Sequence, residues 1–350
     1  MTKLHPARLA LALLVAALSA GAALPGAWAK PRPPAVINPP PPAPPPMPAV
    51  ALAAAFVRDA AAYEDYMRGA SAVSPNFSDG AGVDSSLRVG VAYEPGQLRR
   101  GAVAYAAIET LGDAAFVAEV RQAAATPQAR YALVARIFAN PANALAFTGS
   151  PAAAGVAKAA LAQAGMLLFN AGDAVTGAAY SMQHQAWSLV EAPDRDGRGA
   201  AVRMLSSTLR QPTSGEVAQL ERQVVGDPVD PPAPAAGPYS PLVVRAVALA
   251  VLAAIGQAGD DMVGNVRWLT DDYFMDHCLS ETKLALYECL AVARPNYENA
   301  FCLGQHAMKD TGSCVVRAAG ATVPIDIPVL PGPRIAAAHI GAHHVTRRRS

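Results

Sequence analysis

The sequence predicts an all-α protein, a multi-helix bundle that ends in a disulfide-stapled helical hairpin. Three observations predict it. Hydrophobic residues fill 52% of the 350 positions but aromatics only 6%, so the apolar content comes largely from alanine. Alanine is the best helix former, and small side chains let helices pack closely. Apolar residues recur at helical spacing between prolines and polar turns. All four cysteines fall between Cys278 and Cys314.

Residues 1–29 read as an export signal. Lys3 and Arg8 precede an apolar run from Leu9 to Leu18, and Ala27-Trp28-Ala29 forms a small-x-small cleavage site. A membrane anchor is the competing reading, but the run is short and breaks at Gly21, Pro25 and Gly26. No cysteine lies near the junction, so a lipid anchor is not supported. Cleavage removes two of 28 basic residues and none of 27 acidic ones, taking the formal charge from +1 to −1. That balance gives no electrostatic reason to bind nucleic acid. The expected location is periplasmic or secreted, with no transmembrane span in the mature chain.

Residues 30–49 form a proline-rich linker, expected to be extended polyproline II at roughly 3.1 Å per residue. It is either a spacer or a leader without a partner. Residues 50–226 read as a helical domain. Helices are predicted at Val50–Gly69, Pro95–Leu111, Asp113–Ala124, Pro127–Asn140, Ala142–Thr148, Pro151–Asn170, Ala171–Leu189, Gly199–Leu209 and Ser214–Val225. Pro127, Pro141 and Pro151 stand near helix starts, where a missing N–H costs nothing, and Ser214 suits an N-cap. SAVSPNFSDGAGVDSS, from Ser71 to Ser86, reads as a loop. Residues 227–241 are a second proline-rich linker and the best internal boundary. In 242–335, a helical region, Leu242–Ile255 is too short to span a bilayer and reads as a buried helix. Beyond Cys314 the prolines of VVRAAGATVPIDIPVLPGPR suggest an extended segment. Residues 336–350 read as a flexible basic tail.

An even, clustered cysteine set in an exported chain points to disulfides. A helix is predicted over Thr270–Arg294, stopped by Pro295, with Asn296 as N-cap of a second helix and Gly312 as its stop. Cys278 and Cys289 stand 11 residues apart on the first helix, a rise of about 16 Å, so they cannot bond each other. In an antiparallel hairpin, residues equidistant from the turn face one another. Both the 289/302 and 278/314 pairs centre on Pro295-Asn296, which predicts Cys289 with Cys302 and Cys278 with Cys314. A zinc site built from Cys302 and His306, with His277 or Cys278, is the rival reading. Asp310-Thr311-Gly312 matches one aspartic protease triplet, but that chemistry needs two carboxylates from a β-rich fold.

For catalysis the best candidate is Glu109, a potential general acid in an apolar stretch. Its segment is similar to the catalytic-glutamate segment of lytic transglycosylases. No serine follows it, however, and no Gly-Leu-Met-Gln stretch comes after. His184, with Gln183, Gln185 and Trp187, forms a polar patch expected on a helix, as a hydrogen-bonded core histidine. His339, His343 and His344 could bind metal in the tail, and Arg347–Arg349 could touch acidic polymer. The chain has no GxSxG elbow, Walker loop, dinucleotide fingerprint or HExxH.

Two stretches, YEPGQLRRGAVAYAAIETLGDAAFVAEVR from Tyr93 to Arg121 and YECLAVARPNYENAFCLGQHAMKDTGSCV from Tyr287 to Val315, resemble an uncharacterised family of exported alphaproteobacterial proteins. The resemblance implies an envelope location and no assigned activity, cofactor or catalytic residue. The expected function is therefore a non-enzymatic structural or interaction role, with an envelope protein or cell-wall polymer as partner and no cofactor or metal. The alternatives are a cell-wall glycan hydrolase using Glu109 and a small-ligand cavity between helices.

Overall fold

The structure, a computed structural model, describes residues 46–226 and 233–324. The predicted export signal, nearly all of the first linker, the basic tail, His339, His343, His344 and Arg347–Arg349 lie outside these residues. Among the described residues every regular element is helical, and two isolated bridges are the only β contacts. The helices are α1 (Ala54–Ser71), α2 (Gly80–Val91), α3 (Pro95–Leu111), α4 (Ala114–Ala123), α5 (Pro127–Ala139), α6 (Ser150–Met182) and α7 (Arg195–Ser207). They continue with α8 (Ser214–Val224), α9 (Pro241–Ala254), α10 (Val263–Val266), α11 (Tyr273–Val292), α12 (Asn296–Cys302) and α13 (Thr311–Ala318).

Side-chain caps explain most of the starts. Asp79, Glu94, Asp113, Thr126, Ser240 and Asp272 each accept a first-turn N–H, satisfying donors that a helix leaves free. The cap of α8 is Thr213, one residue before the expected Ser214, because Glu216 completes a capping box with it. Pro127, Pro151 and Pro241 stand in first turns, and Pro141 opens the 3-10 turn Pro141–Ala146 where an α-helix was expected.

The core is centred on α9, where every residue from Ala246 to Ala254 is sealed from solvent, Val247, Leu249, Val251 and Leu252 among them. Core residues from both sides of 227–241 belong to one hydrophobic cluster, so this stretch joins parts of one core. Helices α1 and α3 approach at Gly101, where a Cβ would lie 2.3 Å from the Asp59 carbonyl oxygen. Where two helices were expected, α6 is a single 33-residue helix. By length and composition it could cross a membrane, and 61% of its most apolar window is buried in the bundle, as in a core helix.

The hairpin has the nested pairing. Cys278 is bonded to Cys314 and Cys289 to Cys302, with Cα separations of 5.7 and 5.8 Å, inside the range disulfides require. The second arm differs from expectation. Pro295 occupies the cap position and Asn296 is the first helical residue. A π-helical stretch, Leu303–Asp310, joins α12 to α13. Gly312 does not stop the arm: it lies inside α13, where a Cβ would meet the Phe169 nitrogen at 2.5 Å. Gly172 faces the same arm, with a Cβ position 2.4 Å from the Lys309 nitrogen. These glycines let the arm and α6 pack backbone against backbone. The stop comes at Gly320, with φ of +75°, where the Ala321 N–H donates to the Val316 carbonyl in a Schellman-type closure. The helix thus runs past Cys314, and of the expected extended segment only residues 321–324, outside any helix, are described.

Helix α2 lies where a loop was expected. Gly80, Gly82, Ser85 and Ser86 are weak helix formers, and tertiary contacts hold the helix instead. Its terminal carbonyls are taken by distant side chains. Tyr66 Oη donates to Gly90 O at 3.0 Å, Lys283 Nζ to Val91 O at 2.8 Å, and Arg210 Nη1 to Ala92 O at 3.3 Å. Lys283 also donates to Ser206 Oγ at 3.1 Å and sits 3.4 Å from the centroid of the Tyr93 ring. Burial holds its pKa well below the ordinary lysine value. Through its bonds to Val91 O and Ser206 Oγ, Lys283 fixes the far end of a helix whose near end walls a cleft.

Candidate functional site

The cleft, of about 440 Å³, opens between α2, the loop before α7, and α12. Its volume falls within the roughly 300–1,000 Å³ typical of ligand sites. The loop is pinned to the hairpin turn as a short antiparallel pair. Ala192 N–H donates to Arg294 O at 2.9 Å, Asn296 N–H to Val190 O at 3.2 Å, and Asn296 Nδ2 to Trp187 O at 3.2 Å. The Cys289–Cys302 bond closes the same turn.

Asp194 then takes a left-handed conformation, φ +49°, which aspartate tolerates better than most residues. Its carboxylate caps α7 through Gly197 N–H at 3.1 Å. A Cβ at Gly197 would come within 2.0 Å of that carboxylate. One turn into α7, Arg198 lines the cleft with only 8% of its surface exposed. Nη1 donates to Pro193 O at 3.3 Å, while Nη2 is buried without a hydrogen-bond partner among the described residues. Burial lowers the Arg198 pKa and Asp84 partly offsets this; an arginine nonetheless stays charged. Asp84 is committed to Arg88 at 2.9 Å.

Across the cleft, Asn299 is 2% exposed. Its Nδ2 donates to Pro295 O at 3.4 Å, leaving Oδ1 buried without a partner among the described residues. A buried unmade hydrogen bond costs about 1–3 kcal/mol. The cleft is thus lined by two side chains, one cationic and one an amide, that each keep a buried polar atom without a partner among the described residues.

The candidates from sequence fall elsewhere. Glu109 lies half-buried on α3; burial raises its pKa, Tyr105 donates a hydrogen bond to it, and Glu64 raises it further. Beside it is a groove of about 420 Å³ lined by Tyr63, Glu64, Tyr105 and Leu167, whose wall does not include Glu109. His184 is exposed in the turns beyond α6, not a helical core residue as expected. His306 Nδ1 bonds Asp310 Oδ2 at 2.9 Å, and Asp310 also accepts from Gln305 Nε2. Cys278 and Cys302, which a zinc site would need as thiolates, are in disulfides, and His277 stacks on Tyr273. Among the described residues no three His, Cys, Asp or Glu side chains gather as a metal site would require.

Sequence reasoning passed over Arg198 and Asn299. Arg198 ends DRDGR, which reads as a polar turn before a helix from Gly199, whereas α7 starts at Arg195 because Asp194 caps it through Gly197 N–H. Comparison with protein-family models, with curated proteins and with solved structures found no match for the chain.

Proposed function

We propose that the chain is an exported, non-enzymatic envelope protein whose cleft between α2, α7 and α12 recognises a ligand or a group on an envelope partner. The observation that carries this reading is the buried Arg198 guanidinium, which lines the cleft with one nitrogen unsatisfied. Export is supported by the signal pattern of residues 1–29 and by two disulfides, which suit an oxidising compartment. The resemblance to exported alphaproteobacterial proteins supports a periplasmic location. The stapled turn supplies rigidity: α12 and the loop that it pairs with form two walls of the cleft.

The second reading, a cell-wall glycan hydrolase, rests on Glu109 with its raised pKa and on Glu64 within its field. One experiment separates the two. The mature oxidised protein is titrated with amino acids, short peptides, sugars and cell-wall fragments, and each mixture is chromatographed for products. Binding that shifts cleft resonances, without turnover, is the expected result. Turnover of a cell-wall fragment that disappears in Glu109→Gln would replace the binding reading with the hydrolase. Fractionation of a bacterial host should find the protein in the periplasm or medium with Lys30 at its N-terminus.

A further inference from the structure

The chemistry of the cleft specifies its ligand more closely. Resting on the reading of the cleft as a recognition site, we propose that it binds a terminal α-carboxylate carrying a nearby N–H donor, as in a free amino acid or the C-terminal end of a short peptide. Arg198 lines the cleft with a guanidinium whose buried Nη2 has no partner among the described residues, and a carboxylate is the planar acceptor that suits a guanidinium. Neither Asp84 nor Asp194 pairs with Arg198, since Asp84 bonds Arg88 and Asp194 caps Gly197. The cation is therefore available to an outside anion.

Asn299 defines the second contact. Its Nδ2 donates to Pro295 O and its buried Oδ1 has no partner among the described residues, so an N–H or O–H from the ligand would complete it. The charged residues of the lining are Asp84, Glu191 and Asp194 against Arg88 and Arg198. This acidic excess disfavours a phosphate or a dicarboxylate and favours a positive charge beside the carboxylate. A zwitterion meets both demands.

The test is calorimetric titration of the mature oxidised protein with alanine, with alanyl-alanine, with alanyl-alanine amide, and with glucose and N-acetylglucosamine. Binding of alanine alone identifies a free amino acid as the ligand; preference for the dipeptide identifies a peptide end. Amidation is expected to weaken binding at least about tenfold, because it removes the charge-assisted contact. Arg198→Met should do the same, and Arg198→Lys should restore part of the affinity. The amidated ligand needs no altered protein, so the test holds even where a variant misfolds. Affinity indifferent to amidation, or no binding of either carboxylate, overturns the assignment. Sugar binding that Asn299→Asp abolishes would overturn the carboxylate class while leaving the cleft as the site. Binding of any probe that neither Arg198 nor Asn299 variants affect would overturn both.

Discussion

The second arm of the stapled hairpin is built in two ways along its length. From Leu303 to Ala318 it lies backbone to backbone on α6, with Gly172 and Gly312 at the contact and Cys314 bonded to Cys278. At α12 the same arm faces a cleft where Asn299 and Arg198 keep buried polar atoms unpaired. One end has its contacts satisfied and the other leaves them open. If the cleft is the recognition site proposed above, substitutions at the two ends should have opposite consequences for stability.

The largest effect is expected at the packed end. Gly172→Ala places a methyl group 2.4 Å from the Lys309 nitrogen; the backbones must part, and a loss of about 3 kcal/mol in urea unfolding is expected. A loss below about 1 kcal/mol would show that the contact yields easily. Replacing Cys278 and Cys314 together by serine should cost about 2–4 kcal/mol, since the bond closes a sequence separation of 36. Lys283→Met comes next. It removes one donor from Val91 O, which keeps the Tyr93 N–H, and the ammonium donor to Ser206 Oγ, and about 0.5–1.5 kcal/mol should be lost.

Glu109→Gln is expected to act in the other direction and with a smaller effect. Burial raises its carboxyl pKa above the usual 4.5, so the folded state favours the protonated form. The associated stability is complete below the ordinary value and is lost as pH rises through the raised one. The glutamine variant should therefore gain on the parent at pH 7 and match it near pH 4. Equal stability at both values would contradict the burial of that carboxyl.

Much of the packed end could be read from the sequence, because cysteine spacing and the Pro295 break encode the hairpin register directly. The role of Gly312 could not, since a helix stop and a close helix contact use the same residue type. Helix α2 was hidden because its own residues favour a loop and its carbonyls are capped by Tyr66, Lys283 and Arg210, far away in the chain. The cleft was hidden for a related reason. Arg198 lines a cleft whose walls are set by the pairing of residues 190–192 with the 294–296 turn, a contact without a local pattern.

Unfolding of Arg198→Met in urea, without ligand, is the most direct test of whether the open end is held in reserve for recognition. Methionine keeps the bulk, loses the Pro193 contact and removes the unsatisfied donor. Stability between unchanged and about 2 kcal/mol above the parent is expected. A loss of about 2 kcal/mol or more would contradict the claim, because it would mean that Arg198 is a satisfied structural residue.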